Sequence, residues 1–521
     1  MDATAQANDR SSVGKTPLTE DFASFVTEIL DKWKVPGLSI AVIDGDQVFA
    51  EGYGFAILPG EPATPETLWY AASTTKAHTA TTLARLINFG EHTALANGWS
   101  TTISSIIHDD FVLRDAWATE HITLDDAVSH RVGMAAHDKS YARVVEGKEI
   151  KPKDIVRNLR NLPLSTEPRL KFSYTNLMYT TLSHVIETVT GKWLGDVMKE
   201  LIWDPLDMNS TFFDLQDAIN APYQLASGYY WDKKEGKYGE VPFMNVTELS
   251  GAGAIFSNVL DYAKWVKCLL HEAPPFSKEV HKDIKSPRIL KSIQPNGPYD
   301  ITTYGLGWER THFKGHVIYK HSGGLHAYGA QVYWLPETKY GVVAFANTAT
   351  TSNAAEEILA WKLIQDRLGI PEKERFDFDA KFFWNGLSST VDETVDILYP
   401  ERPNPPLPAT VNTTKLQGIY YDPGYGRIAL REKPHPNRSD EKILVADRQE
   451  MTWKYQMNLH HVSGDYWVVY LPLLENPGYF TEFVAAEFKI GNDGKPVGLQ
   501  VDWVNRVTDE VEGKVLFKKV D

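Results

Sequence analysis

Apolar residues recur at helical spacing over residues 22–33, Pro36-Gly37 turns the chain, and residues 38–43 then read as a strand. Asp44-Gly45-Asp46 returns it into a second strand. From Ser73 to about Leu270 the helical period dominates, punctuated by Gly90, Gly133, Gly191 and Pro205. Strand patterns come back at residues 315–319 and 329–346, the second broken by the turn Pro336-Glu337-Thr338-Lys339-Tyr340, and an amphipathic helix over 354–368 follows. A helix and hairpin at the front and a hairpin and helix at the back predict one antiparallel sheet built from both ends. Helices flank it and a helical subdomain is inserted between its halves, an α+β layout.

Pro400, Pro403, Pro405, Pro406 and Pro408 mark a stiff linker. Beyond it, Gly418-Ile419-Tyr420-Tyr421, Tyr466-Trp467-Val468-Val469-Tyr470 and Leu499-Gln500-Val501-Asp502-Trp503 are short strand-like runs between turns, which predict a small β barrel or sandwich. The expected organisation is a flexible leader at 1–19, a catalytic unit at 20–390, a linker at 391–412 and a β domain at 413–521.

Composition narrows the function classes. With 521 residues, 43% hydrophobic and 23% charged, the chain is globular and long enough for two or three domains. Its formal charge of -15 tells against nucleic acid and anionic lipid as partners, and no apolar run reaches the length of a membrane helix. The single cysteine, Cys268, sits among Trp265, Val266, Leu269 and Leu270 and reads as a buried structural thiol. The start of the chain lacks the pattern of a secretory signal, so a cytoplasmic location is expected. Four sequons, at Asn209, Asn245, Asn412 and Asn437, would permit glycosylation after export. His460-His461 suggests a metal, but neighbours on a strand face opposite ways and no partner cluster accompanies them. No metal or cofactor is expected.

The candidate chemistry lies in Ser73-Thr74-Thr75-Lys76. Residues i and i+3 share a helix face, so the Lys76 amine can reach the Ser73 hydroxyl and activate it. Ser12-Val13-Gly14-Lys15 and Ser439-Asp440-Glu441-Lys442 have the same spacing, but the first lies in the polar leader and the second in a charged run read as a loop. Only Ser73 follows an aromatic approach, Leu68-Trp69-Tyr70, and opens an apolar helix. An N-cap serine is the competing reading. Tyr174-Thr175-Asn176 places a phenol at another helix mouth, where two cations could favour its phenolate: Lys76, and His321 of His321-Ser322-Gly323-Gly324. The glycine pair would let a substrate approach the backbone.

Taken in order, each at an element boundary, these motifs resemble those of the serine β-lactamase and penicillin-binding-protein superfamily, in its class C β-lactamase, D-peptidase and family VIII esterase branch. The likeness runs from about Phe22 to about Leu368. Trp203-Asp204-Pro205-Leu206-Asp207-Met208 is similar to a Pro-Leu-Gly-Met turn with Asp207 in place of glycine, and Gly251-Ala252-Gly253 and Tyr304-Gly305-Leu306-Gly307-Trp308 match further recurring segments. The C-terminal domain is similar to the lipocalin-like module of many relatives.

The resemblance implies that Ser73 attacks an acyl carbonyl, that Lys76 and Tyr174 share the proton, and that the backbone amides of Ser73 and Gly324 hold the oxyanion. Asn176 would orient the lysine, His321 would tune Tyr174 or bind a substrate carboxylate, and Ser322, Gly323 and Tyr328 would border the substrate. Two departures stand out. His130-Arg131-Val132-Gly133-Met134 replaces a His-Thr-Ser-Gly-Leu segment, which implies an altered surface near the cleft, and His321 stands where β-lactamases carry lysine. The histidine points away from antibiotic hydrolysis and towards D-peptidases. The partner expected is therefore a small-molecule or peptide acyl substrate, with the oligomeric state left open. Three functions fit: a hydrolase of esters, amides, lactones or D-amino-acid peptides; an acyltransferase or cyclase using the same acyl-serine; or a binding protein that kept the fold. Tyr229-Tyr230-Trp231 either line an apolar pocket with Tyr328 or are ordinary packing.

Overall fold

A computed structural model describes residues 15–381, 391–436, 438–506 and 510–520. Residues 1–14 of the expected leader, including Ser12, and the sequon residue Asn437 lie outside the described residues. The first helix, Glu20–Trp33, is capped by Thr19, whose hydroxyl accepts the Phe22 amide at 3.2 Å, and Lys34 ends it in a left-handed conformation. It buries Phe22, Val26, Ile29 and Leu30.

The sheet has nine strands and is assembled from both ends of the unit, as the pattern predicts. Strand Gly37–Asp44 pairs antiparallel with Tyr340–Ala346, with Leu38 opposite Ala346 and Val42 opposite Val342. Leu38, Ile40 and Val42 face one side, where helices Glu20–Trp33 and Thr351–Arg367 cover them. Ala41 and Ile43 face the other, against the helix Val259–His271 and the inserted helical region. This two-residue alternation with both faces buried explains the nearly unbroken apolar run.

The sheet extends past the expected strands through Ile289–Ser292, Thr302–Tyr304 and Glu309–Phe313. These are short and carry Lys291, Glu309 and Arg310, so their polar composition hid them. A hairpin, Gly228–Asp232 with Lys237–Val241, also interrupts the region read as helical. The expected linker opens with a helix, Val391–Leu398, and the Tyr399 hydroxyl behind it donates to the carbonyls of Trp467 at 2.8 Å and Ala486 at 3.2 Å. Asp207 adopts a left-handed conformation, φ 55°, which is why glycine suits that turn.

Eight antiparallel strands from Gly418–Asp422 to Glu510–Lys519 close into a barrel, the first pairing with the last. Its interior is filled by side chains including Trp467, Phe488, Leu499 and Phe517. In an up-and-down barrel alternate connections share one end. The connections at 423–425, 449–454 and 472–481 therefore lie together, and that end docks on the inserted region. Tyr425 hydroxyl lies 2.8 Å from His137 Nδ1, the Arg143 amide donates to Glu450 at 2.8 Å, and Asn476 donates to the His326 carbonyl at 2.7 Å.

Cys268 is buried, with Sγ 3.3 Å from the Ala273 carbonyl, and burial pushes its thiol up to about 12. Ser439 lies in the strand Arg438–Arg448, not a loop, and Lys442 pairs with Glu432 at 2.8 Å. Positions three apart on a strand face opposite sides, so the spacing there is accidental. Among the described residues no helix is long and apolar enough to cross a membrane, and no His, Cys, Asp and Glu cluster is arranged to hold a metal.

Candidate active site

The chain reaches Ser73 through a short strand, Trp69–Tyr70, paired with Phe256–Ser257. The Ala71 amide donates to Ile255 at 2.9 Å, and Ala72 then takes a left-handed conformation, φ 47°. Such a residue without glycine's freedom is strained by about 1 kcal/mol or more. Thr74 holds the turn, its hydroxyl bonding to the Ala71 carbonyl at 2.7 Å and lying 2.8 Å from the Tyr262 hydroxyl. Ser73 thus sits on one 3₁₀ turn, Ala72–Thr74, that runs into the helix Thr75–Phe89. Its side chain faces a cleft and caps no backbone amide, so the N-cap reading does not apply.

Lys76 is fully buried one turn on. Its Nζ lies 3.0 Å from Ser73 Oγ, 2.8 Å from Asn176 Oδ1 and 2.7 Å from the Ala252 carbonyl. Burial holds the amine well below its usual range, opposed by the charge of Asp138. A neutral amine has two N–H bonds and one lone pair. In that form, the one burial favours, Asn176 and Ala252 would accept the two N–H bonds and the lone pair would be left for the Ser73 hydroxyl.

Tyr174 lies over the pair, its ring centroid 4.8 Å from Lys76 Nζ, with a hydrogen bond between its hydroxyl and Ser73. Burial raises this phenol far above its usual value, partly offset by the Ser73 bond. The expected phenolate is therefore not the resting form. The second expected cation is also missing, because His321 is buried and pulled down to about 3, chiefly by that burial. His321 Nδ1 lies 2.6 Å from the Ser322 carbonyl and Nε2 lies 3.0 Å from the Tyr304 hydroxyl, so both nitrogens are engaged. A neutral, enclosed imidazole cannot serve as a cationic site for a substrate carboxylate.

Strand His316–Leu325 brings Ser322 and Gly324, both exposed, to the cleft opposite Ser73. Gly323 between them serves the protein's own packing, since a Cβ there would stand 2.7 Å from the Ala71 carbonyl. A Cβ on Gly324 would meet nothing closer than Asn353 at 3.6 Å. Tyr328 borders the cleft, but its hydroxyl is spent on the Ala226 carbonyl at 2.8 Å and its ring packs on Tyr70. Tyr229, Tyr230 and Trp231 do not line the cleft. Tyr229 accepts the Leu58 amide at 2.8 Å, and Trp231 packs on Tyr238.

The cleft is a cavity of about 480 Å³ with Ser73 on one wall. Trp453, Tyr479, Glu482, Trp503 and Glu512, all from the barrel, form much of the other.

A model of the family described as Beta-lactamase matches residues 22–365. The chain belongs to the beta-lactamase family. It is 36% identical to "Unguisins hydrolase ungD'" of Aspergillus campestris (strain IBT 28561), over 96% of this chain and 92% of that protein. It is 37% identical to "Unguisins hydrolase ungD" of Aspergillus violaceofuscus (strain CBS 115571), over 94% and 88%. In fold it is similar to the octameric penicillin-binding protein homologue from Pyrococcus abyssi, with a TM-score of 0.61 at 22% identity, covering 96% of this chain and 99% of that one. A D-amino acid amidase from Ochrobactrum anthropi SV3 covers 67% of the chain at a TM-score of 0.54 and 19% identity. Both Aspergillus relatives are named as hydrolases.

The beta-lactamase motifs did not reveal every residue at the site. His130, which opens the segment that departs from the family pattern, is buried under Tyr174 at 4.4 Å between ring centroids, and its Nδ1 accepts the Thr175 amide at 3.2 Å. The altered neighbour Arg131 is turned aside into ion pairs with Asp125 and Asp126. Asp138 accepts from Asn176 at 3.3 Å and extends the line from Ser73 through Lys76. A helical period carried no signal for Asp138, since it lies in a 3₁₀ turn. Glu482 and Glu512 come from more than three hundred residues along the chain, where no local pattern ties them to Asn176.

Proposed function

We propose that the protein is a serine hydrolase that cleaves an amide or ester through an acyl-enzyme on Ser73, with an unguisin, the compound in its relatives' names, as the first substrate to test. The observation that carries this reading is the buried Lys76 amine, both of whose N–H bonds have fixed acceptors while Ser73 Oγ lies 3.0 Å away. Lys76 takes the Ser73 proton as the Oγ–carbon bond forms. The backbone amides of Ser73 and Gly324 receive the developing oxyanion. As the bond to the leaving group breaks, the protonated lysine returns its proton through the neutral Tyr174 phenol to the departing nitrogen or oxygen. Water then enters by the same route, giving its proton to Lys76 and its hydroxide to the acyl carbon; as the Oγ–carbon bond breaks, Lys76 returns that proton to Ser73 Oγ and the acid leaves.

The cleft's charge supports an amide or ester without a carboxylate beside the reacting bond. Lys139 is the one lysine or arginine among the residues lining it, and its Nζ is paired with Glu482 at 2.6 Å. With His321 neutral, no free cation among the described residues awaits the carboxylate of a β-lactam or a peptide C-terminus.

Intact-protein mass after exposure to a fluorophosphonate tests the nucleophile. One adduct is expected on the native protein and none on Ser73→Ala, and an unmodified native protein overturns the reading. Following the acyl group of a cleaved ester with and without added amines then separates hydrolysis from transfer: free acid in both supports hydrolysis, and an amide product supports the acyltransferase.

A further inference from the structure

The cavity beside Ser73 gathers acidic side chains at its barrel end. Asp138, Glu482 and Glu512 line it against the single ammonium of Lys139, which is committed to Glu482 at 2.6 Å. Glu512 is only 4% exposed. Its Oε1 accepts the His137 amide at 3.0 Å, and Oε2 has no hydrogen-bond partner among the described residues. Asp138 stands in its field, with Oδ1 accepting from Asn176 at 3.3 Å. Aromatic side chains, Trp453, Tyr479 and Trp503, complete this end of the cavity.

A nearly buried carboxylate with one oxygen left unbonded is costly, and aromatic faces favour a positive guest. We infer that Glu512 is a specificity-determining residue that binds a protonated amine of the substrate opposite Asp138, so that the preferred substrates are amides or peptides with a free ammonium group near the scissile carbonyl. As a statement about substrates this rests on the acyl-enzyme reading. The barrel then does more than cover the cleft, because it supplies the group that selects the substrate. Burial and the neighbouring Asp138 push Glu512 up to about 8, and the charge of Lys139, committed to Glu482, only partly offsets them. The entering ammonium supplies a counter-charge and displaces the proton from the carboxyl.

The test compares aminoacyl para-nitrophenyl esters and anilides bearing a free α-amine, in D and L forms, with their N-acetyl counterparts. The native enzyme is expected to favour the free amine at least 10-fold in kcat/KM, and that ratio should fall at least 10-fold in Glu512→Gln, which keeps an acceptor for the His137 amide. Asp138→Asn should lower it in the same direction. Equal or better turnover of the N-acetyl forms by the native enzyme, or an unchanged ratio in both variants, overturns the inference. An absence of adduct on Ser73 counts against the hydrolase reading alone, and the amine site is then tested by calorimetry with phenylalaninamide and N-acetylphenylalaninamide. Binding of the first only, lost in Glu512→Gln, supports the site, and equal binding or none overturns it.

Discussion

Replacing Glu512 by glutamine should make the protein more stable, and increasingly so as pH rises. Glu512 has its carboxyl raised from 4.5 to about 8, first by burial and then by the charge of Asp138, with Glu482 adding to the rise and Lys139 and the His137 amide opposing it. The Tyr425 phenol, in the field of Glu512, is held protonated by burial and by that charge. Between pH 4.5 and 8 the native state holds a proton on Glu512 that the unfolded chain has released. Stability is therefore greatest below the unfolded value and falls as pH rises through this window. One tenfold change in proton affinity is about 1.4 kcal/mol, so the full loss approaches about 5 kcal/mol above pH 8. About 2 to 3 kcal/mol of it falls between pH 6 and pH 9. Glutamine carries no such titration. Urea unfolding of both proteins, followed by tryptophan fluorescence at pH 6 and pH 9, gives the difference in stability at each pH with the other titrations cancelled. The variant should gain about 2 to 3 kcal/mol on the native protein between the two. A difference that stays constant within about 0.5 kcal/mol would refute the claim that the native state holds the Glu512 proton through this window.

Lys76→Ala should slow acylation of Ser73 by about 10²- to 10⁴-fold, the usual worth of a general base; labelling within tenfold of the native rate would show that another group takes the proton. Gly323→Ala forces a Cβ to 2.7 Å from the Ala71 carbonyl and so displaces the turn that carries Ser73. Fluorophosphonate labelling should be lost while circular dichroism still shows a folded chain, and native-rate labelling would contradict the proposed packing role. His130→Ala removes the acceptor of the Thr175 amide and the ring under Tyr174, at about 1 to 3 kcal/mol for the stranded amide alone. Its kcat should drop more than its KM changes, with partial recovery in His130→Asn. Native kinetics in the alanine variant would show that Tyr174 needs no such support.

Much of the fold was legible because its residues alternate or repeat visibly. Leu38, Ile40 and Val42 declare a strand wherever they sit, and the two hairpins at the ends of the unit could pair only with each other. The strands between Ile289 and Phe313 escaped because polar residues fill them, even at buried positions such as Glu309 and Thr311. Ser73 and Lys76 were legible because three residues of helix set their distance, whatever surrounds them. Protonation states were not. Whether His321 is a cation depends on the Tyr304 hydroxyl, the Ser322 carbonyl and the depth of burial, none of which the order of residues states. Glu512 was beyond reach for a simpler reason, since only the docking of a closed barrel on the inserted region brings it to Ser73.

That docking divides the cleft into two electrostatic halves. Around Ser73 burial disfavours charge at every titratable group: the Lys76 amine, the Tyr174 phenol and the imidazoles of His130 and His321 are all pushed towards their neutral forms. A charge appears there only when Lys76 accepts the Ser73 proton, and it appears opposite the oxyanion that forms in the same step, so the pair compensates itself within a low dielectric. A fixed carboxylate in contact with Lys76 would hold the amine protonated and take away its basicity. Asp138 is kept one residue removed, hydrogen-bonded to the amide of Asn176 and not to the lysine itself. The carboxyls that can discriminate among substrates, Asp138 and Glu512, therefore stand where they meet the ligand without touching the base. Carrying Glu512 on a separate barrel allows selectivity to change through the barrel's connections while the Ser73, Lys76 and Tyr174 geometry, set entirely within the beta-lactamase-family unit, stays as it is.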